Sequence, residues 1–505
     1  MNHTQLLQHF DTLAETPDAV AKLRAFVLDL AVRGRLVPPS SGPEKNPAWL
    51  KFSREIAEQV HNTKSPSLFE IPDGWYWMVL DEIAEPCGQK KPDERFTYID
   101  VGAIDNVRGV ITPDLQILDA DEAPSRARKL VRSNSVIYST VRPNLRNIAV
   151  IEKDFEPPAI VSTAFAVLHP KPFLNSRYLF LWLRSAPFQE NVAAKMKGVA
   201  YPAISDSELW QCPIPIPPPE EQRRIVAKVE ELLALCDELE AAQTAAREHR
   251  TRLVRSALDH LTTAQTEPEF RQHATFFVRE FQQFTATADF IPLLRSGMIE
   301  MGVTGALTGG TSKWEEVQLG KVADSRLGKM LDKAKNKGKP LPYLRNTNVQ
   351  WFRFELTDVK KMLFEDDELD EFSLRKDDLL VCEGGEPGRC AVWDGQLPKM
   401  VFQKAIHRVR PNSKLLSEFL AYRLRADATS GRLEKHFTGA TIKHFTGQEL
   451  ARYTFPLPPL AEQQRIVAKV DELMHWCDAL EARLTAARTT ATALLDATLH
   501  QILAG

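Results

Sequence analysis

The sequence predicts an α+β chain, two mixed α/β globular domains separated by long coiled-coil helices and built on an internal pseudo-two-fold repeat. Three observations predict it. The stretch Pro217–Leu232 returns as Pro458–Leu473, with Arg-Ile-Val-Ala-Lys-Val unbroken in both copies, at Arg224–Val229 and Arg465–Val470. The offset of 241 residues is about half the chain, far beyond the roughly 20–50-residue period of a solenoid. After each copy, apolar residues recur at spacings of four and three, the seam of a coiled coil. Ahead of each copy lie about 140 residues with short β-branched runs and then helical stretches, which reads as one compact mixed domain used twice.

The helix entries follow from local chemistry. Pro213, Pro215, Pro217, Pro218 and Pro219 precede the first helix, and Pro456, Pro458 and Pro459 the second. Proline ends a ladder and pre-sets the backbone for a helix start. Glu220, Glu221 and Glu462 then sit near the positive end of the helix dipole. The seam residues are Ile225, Val229, Leu232, Cys236 and Leu239 in the first helix, and Ile466, Val470, Leu473, Cys477, Leu480 and Leu484 in the second. Gln243 and Arg250 interrupt the first seam; the second continues to Leu494. Each helix is about 45 residues, roughly 65 Å long.

Composition narrows the class. The 505 residues are 43% hydrophobic and 26% charged, as expected of a soluble chain of about three domains. No apolar run reaches membrane-helix length, and the N-terminus has no signal-peptide pattern, so a cytoplasmic protein is expected. Cys87, Cys212, Cys236, Cys382, Cys390 and Cys477 form no Cys-x-x-Cys pair and read as reduced thiols. Net charge is −3. Residues 312–455 carry 26 Lys and Arg against 21 Asp and Glu, whereas residues 72–212 carry 16 against 18. One domain is mildly basic and the other is not.

In chain order, residues 10–37 predict a helix from a cap at Asp18 to about Val32, ended by Gly34. Residues 281–308 repeat that outline at an offset of 271. Residues 38–71, with five prolines, read as a linker holding one short helix around Lys51–Val60. Trp75–Ala84 aligns with Trp314–Ala323. In the first domain the strand candidates are Ser135–Tyr138, Asn147–Ile151 and Ile160–Leu168; in the second, Asp378–Cys382, Cys390–Trp393 and Ala405–Val409. Helices are predicted at Arg177–Arg184 and Leu416–Arg425. The resulting segments are 1–37, 38–71, 72–214, 215–264, 265–311, 312–455 and 456–505. The frame is kept and the filling differs, which points to two modules doing one job on two different targets.

The Pro-Pro-x-x-Glu-Gln-x-Arg-Ile-Val motif at Pro218–Val226 and Pro459–Val467, opening a long helix after a globular domain, resembles the specificity subunit of type I restriction-modification systems. So does Leu30–Val37 before the first domain. The resemblance implies that residues 72–212 and 312–455 are target recognition domains, each reading half of a split, asymmetric DNA sequence. It implies that the long helices pack antiparallel as the spacer and dock two methyltransferase subunits, with restriction subunits joining through them. The chain itself would carry no cofactor and no catalytic residue; S-adenosylmethionine would sit on the methyltransferase.

Candidate DNA contacts follow. Lys195, Lys197, Gly198 and Tyr201 stand at the place matched by Lys435, Gly439, Thr441, Lys443 and His444, shortly before each proline entry. Glycine lets a backbone approach a phosphate closely, and lysine adds charge. Arg142, Asn144 and Arg146 form a proline-containing turn whose donors suit guanine and adenine edges; Arg389 and Lys404 are the counterparts. Lys333, Lys335 and Lys337 crowd a loop suited to gripping phosphates. Each set has an ordinary alternative as a solvated turn.

Catalytic patterns are largely missing. Gly305–Thr311 resembles a phosphate loop but lacks its lysine, Asp358-Val-Lys360 is too short a nuclease signature, and the histidines have no metal spacing. The competing readings are a self-contained DNA-acting enzyme, such as a nuclease with paired DNA-binding arms, and a coiled-coil scaffold without DNA binding.

Overall fold

In the computed structural model the described residues are all except 1–15, 17, 40–48, 50, 52–66, 199–200, 265, 285–287, 310–313, 333, 335 and 505. The expected short helix around Lys51–Val60 therefore lies almost wholly outside the described residues. The chain forms two compact units, residues 1–244 with 489–505, and residues 245–488. Each unit holds the start of one long helix and the end of the other.

In the first unit, α1 (Ala19–Val32) leads to a globular body. Asp18 does not cap α1: it sits in the left-handed region and makes no side-chain cap bond. Gly34 ends the turn with φ 70°, as expected of a helix-terminating glycine. The body opens and closes with one ribbon, β1 (Tyr76–Val79) antiparallel to β12 (Pro213–Ile216). Its interior has a small antiparallel ribbon, β4 (Ile104–Asp105) with β5 (Val110–Ile111), and two four-stranded sheets. One is ordered β6 (Gln116–Leu118), β3 (Phe96–Ile99), β10 (Ala159–Ser162), β7 (Ala127–Leu130); the other is β2 (Ala84–Glu85), β11 (Phe165–Pro170), β8 (Val136–Ser139), β9 (Ile148–Val150). The β3–β10 pair is parallel, Thr97 opposite Ala159. The run expected as one strand at Ile160–Leu168 is thus two, broken at Thr163 and Ala164, and belongs to different sheets.

The alternation of side chains along β8, β9 and β11 divides the body into two cores. Val136, Tyr138, Ile148, Ala166 and Leu168 face a helix-covered core that includes Leu179 and Trp182 of α2 (Ser176–Arg184). Ile137, Ala149, Ile151 and Val167 face the other, with Ile99 and Val161. Strands buried on both faces read as continuous apolar runs, and these do. Tyr178 and Trp182 of α2 donate to the carbonyls of Pro215 (2.7 Å) and Pro213 (3.0 Å), fastening helix to ribbon.

The second unit repeats the plan. Its ribbon is β13 (Glu315–Gln318) with β23 (Thr454–Leu457). One sheet is ordered β14 (Ala323–Leu327), β22 (Ile406–Pro411), β19 (Leu379–Cys382), β20 (Cys390–Val392). The other is β18 (Lys360–Phe364), β15 (Lys339–Leu344), β21 (Val401–Phe402), with β15 and β21 parallel, and β16 (Val349–Gln350) and β17 (Arg353–Phe354) form a small antiparallel ribbon. Leu379 and Val381 face one core and Leu380 and Cys382 the other.

The long helices are α3 (Pro219–Thr263) and α5 (Leu460–Ala504). Their seams are covered by different neighbours along their length. Ile225 and Val229 are fully buried in the first helix-covered core, and Ile466 and Val470 in the second, so at this end the stripe faces the adjoining globular body and, in the second unit, also Ile299, Gly302 and Val303 of a short helix. Leu232 also packs against that first core. In the second unit, α4 (Ile291–Val303) touches both long helices: a Cβ on Gly297 would meet Leu258 at 2.9 Å, and Cys477 lies 3.6 Å from Met298. Leu480 and Leu484 pack there too. In the first unit Ala19, Leu23 and Phe26 of α1 pack against Leu495 and Leu499. The pattern of fours and threes marks a stripe that must be buried, and two classes of neighbour, globular body and short helix, share the task.

Candidate nucleic-acid interface

Two hairpin loops, one in each unit, have the same construction. Lys197 and Ala203 exchange backbone bonds of 2.9 and 3.0 Å; Thr438 and His444 exchange two of 2.8 Å. The glycine after the first strand residue is left-handed in both, Gly198 at φ 91° and Gly439 at φ 96°. A Cβ there would meet the carbonyl oxygen of Tyr201 at 2.8 Å and that of Ile442 at 2.2 Å. Glycine is needed both for the dihedral and for the approach. Beneath each hairpin runs the β8–β9 or β19–β20 connection. Ile204 donates to Thr140 (3.0 Å) in the first, and Phe445 to Glu383 (2.7 Å) in the second.

The structure brings Arg142, from the expected turn, against Tyr201, from the expected loop. Arg142, Asn144 and Arg146 are exposed on the β8–β9 turn. Arg142 donates its backbone amide to Pro202 (2.8 Å), and its guanidinium lies 4.8 Å over the Tyr201 ring. Arg142 and Arg146 both have positive φ, 49° and 56°. Two non-glycine residues held left-handed at the ends of one short turn are backbone strain of the kind that collects at binding sites. Lys197 pairs with Glu208 at 2.8 Å. That pair, with Ser205, holds the Glu208 carboxyl down to about 2, so part of the loop's charge is matched internally. Lys195 lies apart: its ammonium points to the buried Cys212 thiol at 3.5 Å.

In the second unit Gly439, Thr441, Ile442, Lys443, His444 and Lys435 are exposed. The loop beneath comes so close that a Cβ on Gly384 would meet the His444 ring at 3.3 Å. Arg389 is bound inside this loop, donating to the Asn346 carbonyl at 2.9 Å and pairing with Glu386 at 3.2 Å. Lys404 is exposed on the β21–β22 turn, and Lys337 is exposed. Lys333 and Lys335 lie outside the described residues.

A buried carboxylate gathers a hydrogen-bond network in the second unit, and no sequence signal singled it out. Asp427 accepts from Arg423 (2.7 Å), Arg432 (2.7 Å) and the Tyr453 hydroxyl (2.5 Å). Burial raises its pKa, but Arg423, Tyr453 and Arg432 outweigh burial and hold it below the usual range. Arg432 also takes both oxygens of Glu300 on α4 at 2.8 Å. Ile442 stands in the same stretch as Lys443, 241 residues after Tyr201 and at its register.

Among the described residues no three His, Cys, Asp or Glu side chains are placed to hold a metal. Asp358 is taken by Arg345 at 2.7 Å. Gly305, the first glycine of the phosphate-loop lookalike, ends α4 with φ 84°, as Gly34 ends α1. No helix among the described residues is long and apolar enough to cross a membrane.

Comparison with known proteins decides the family. The model of the type I restriction modification DNA specificity domain matches twice, at residues 72–247 and 311–487. The chain belongs to this family. The match spans both globular bodies and the first halves of both long helices. The specificity subunits of the type I restriction enzymes EcoEI and EcoAI from Escherichia coli are 24% and 23% identical, each over 95% of this chain and 93% of its own length. A chain from a solved structure concerning complex assembly and conformational transition of the type I R-M system is 26% identical. It covers 86% of this chain and 99% of its own, with a TM-score of 0.57. This specificity subunit is a non-catalytic DNA-recognition component with two target recognition domains, and it works in a complex with other subunits. The reading as a self-contained enzyme is not favoured.

Proposed function

We propose that residues 72–214 and 312–455 each read one half of an interrupted, asymmetric DNA sequence. The contacts centre on the turn 142–146 with Lys197, Gly198 and Tyr201 in the first domain, and on the hairpin 438–444 with Lys404 and Lys435 in the second. The observation that carries this is the two hairpins' shared construction with different exposed residues, a common frame for unlike targets. Arg142, Asn144, Arg146, Lys197, Gly198 and Tyr201 serve the first half; Lys404, Lys435, Gly439, Thr441, Lys443 and His444 the second. Lys333, Lys335 and Lys337 add phosphate contacts. Lys195 and Arg389 act from behind, holding their loops. Segments 1–37, 215–264, 265–311 and 456–505 form the shared scaffold, and 38–71 a linker. That scaffold holds two methyltransferase subunits, which carry S-adenosylmethionine, and through them restriction subunits, in the cytoplasm.

The test is a genome-wide methylation map with and without the chain. Loss of one bipartite asymmetric motif supports the reading, and exchanging residues 72–214 for another such domain should change one half only. An unchanged motif after the exchange, in a complex that still methylates, would overturn it.

A further inference from the structure

Tyr201 and Ile442 hold the same register in the two hairpins, and both project into solvent, 70% and 66% exposed. Large apolar side chains left in water at both equivalent places forgo the burial that stabilises such residues. The frame beneath them is closed by reciprocal backbone bonds and a glycine pressed against the tip residue's own carbonyl. It aims whatever residue stands there, and the two halves differ in that residue, one aromatic and one aliphatic. Cationic or polar groups flank both: Arg142 over the Tyr201 ring, Lys443 and His444 after Ile442.

The shape of the tips selects the contact. Arg142 covers one face of the Tyr201 ring, so that ring cannot be sandwiched between two bases. Isoleucine has no flat face at all. Apolar contact with a base edge suits both residues, and in the major groove the apolar group on a base edge is the C5-methyl of thymine.

We propose that Tyr201 and Ile442 are specificity-determining tips, each packing on a thymine methyl in its own half-site. The proposal rests on the loop assignment above. The assembled complex is titrated with duplexes in which each half-site thymine is replaced in turn by deoxyuridine. Removing the contacted methyl weakens binding about fourfold at one position in each half-site, the effect of one buried methyl-sized group. Tyr201→Ala abolishes that sensitivity in the first domain's half only, and Ile442→Ala in the second's only, whereas Tyr201→Phe retains it. Sensitivity that survives the alanine variants, or a half-site without an A·T pair, overturns the proposal. Arg142→Ala and Lys443→Ala are measured alongside. If these weaken binding and flatten its salt dependence while thymine sensitivity survives Tyr201→Ala and Ile442→Ala, the loop assignment stands and the tip contact falls. If neither set changes binding, the loop assignment itself has failed.

Discussion

The side-chain amide of Gln222 makes the same three hydrogen bonds as that of Gln463, 241 residues later. Gln222 Nε2 donates to the carbonyls of Pro217 (2.8 Å) and Phe173 (3.0 Å), and its Oε1 accepts from the Asn175 amide (2.7 Å). Gln463 Nε2 donates to Pro458 and Lys414, both at 2.8 Å, and its Oε1 accepts from Leu416 at 2.8 Å. Every partner is shifted by the same 241 positions, and both glutamines are fully buried. The glutamine of the repeated motif is a pin between long helix and globular body, satisfying backbone groups that would otherwise be buried without partners.

Gln463→Leu should therefore loosen the second unit selectively. It leaves the buried Pro458 carbonyl without this partner, at a cost of about 1–3 kcal/mol in principle, and likewise the part-buried Lys414 carbonyl and Leu416 amide, which cost less because water can reach them. Amide exchange at Leu416 should rise by at least tenfold while exchange at Asn175 stays as it was. Gln222→Leu should give the mirror result. Equal rises in both halves would mean that the pins do not act locally.

The scaffold is stitched by a second repeated contact. Arg24 of α1 pairs with Asp237 and, at 2.9 Å, with Glu240; Arg295 of α4 pairs with Asp478 at 2.7 Å and Glu481 at 2.8 Å. The carboxylates are half or more exposed, so each pair is worth only about 0.2–1 kcal/mol. Double-mutant cycles of Arg24→Ala with Glu240→Ala, and of Arg295→Ala with Asp478→Ala, should return couplings of that size that shrink in high salt. Couplings of several kcal/mol would show the pairs to be far less solvated than their exposure indicates.

Glycines separate dihedral strain from collision. Gly431 is left-handed at φ 77° with nothing within 4 Å of a Cβ, whereas Gly439 has the Ile442 carbonyl at 2.2 Å. Gly431→Ala should cost about 1 kcal/mol of stability and leave DNA affinity unchanged. Gly439→Ala must also displace the hairpin, and DNA affinity of the assembled complex should fall tenfold or more. Equal affinity in the two variants would place the hairpin away from DNA.

Mild acid should weaken the second unit through His407. This residue is 1% exposed, and its ring bonds the Phe445 carbonyl at 3.0 Å. Burial lowers its pKa, against the opposing influence of Glu383 and that carbonyl. The unfolded chain then takes up a proton near pH 6.5 that the folded chain refuses. Stability is fully present above about pH 6.5 and declines as pH falls toward the depressed folded value. His407→Gln, which keeps a donor for Phe445 and does not titrate, should flatten that decline in urea unfolding between pH 7 and 5. An unchanged slope would assign it to other groups, of which His436, also depressed by burial, is the first to examine.

The proline entries and the seam spacing marked both long helices, Pro219–Thr263 and Leu460–Ala504, inside the expected segments 215–264 and 456–505, because helix starts and apolar periodicity are local properties of the chain. Strand runs such as Leu379–Cys382 were legible because continuous apolar residues mark burial on both faces. Asp18 was misread as a cap because a cap depends on the backbone angle of the residue and not on its identity alone. The sites divided in the same way. Gly198 and Gly439 stood out through their register, while the roles of Lys195 and Arg389 depended on where their long side chains found partners.

By itself, the sequence determined the duplication, the order of bodies and helices, and the family, since these rest on motifs and spacings that survive along the chain. Only the tertiary structure decided what covers each part of the seam, which cations are matched internally, and that Tyr201 and Arg142 meet across 59 residues of sequence. Those outcomes depend on long-range packing and on the competition among many possible partners, and no local pattern records which partner wins.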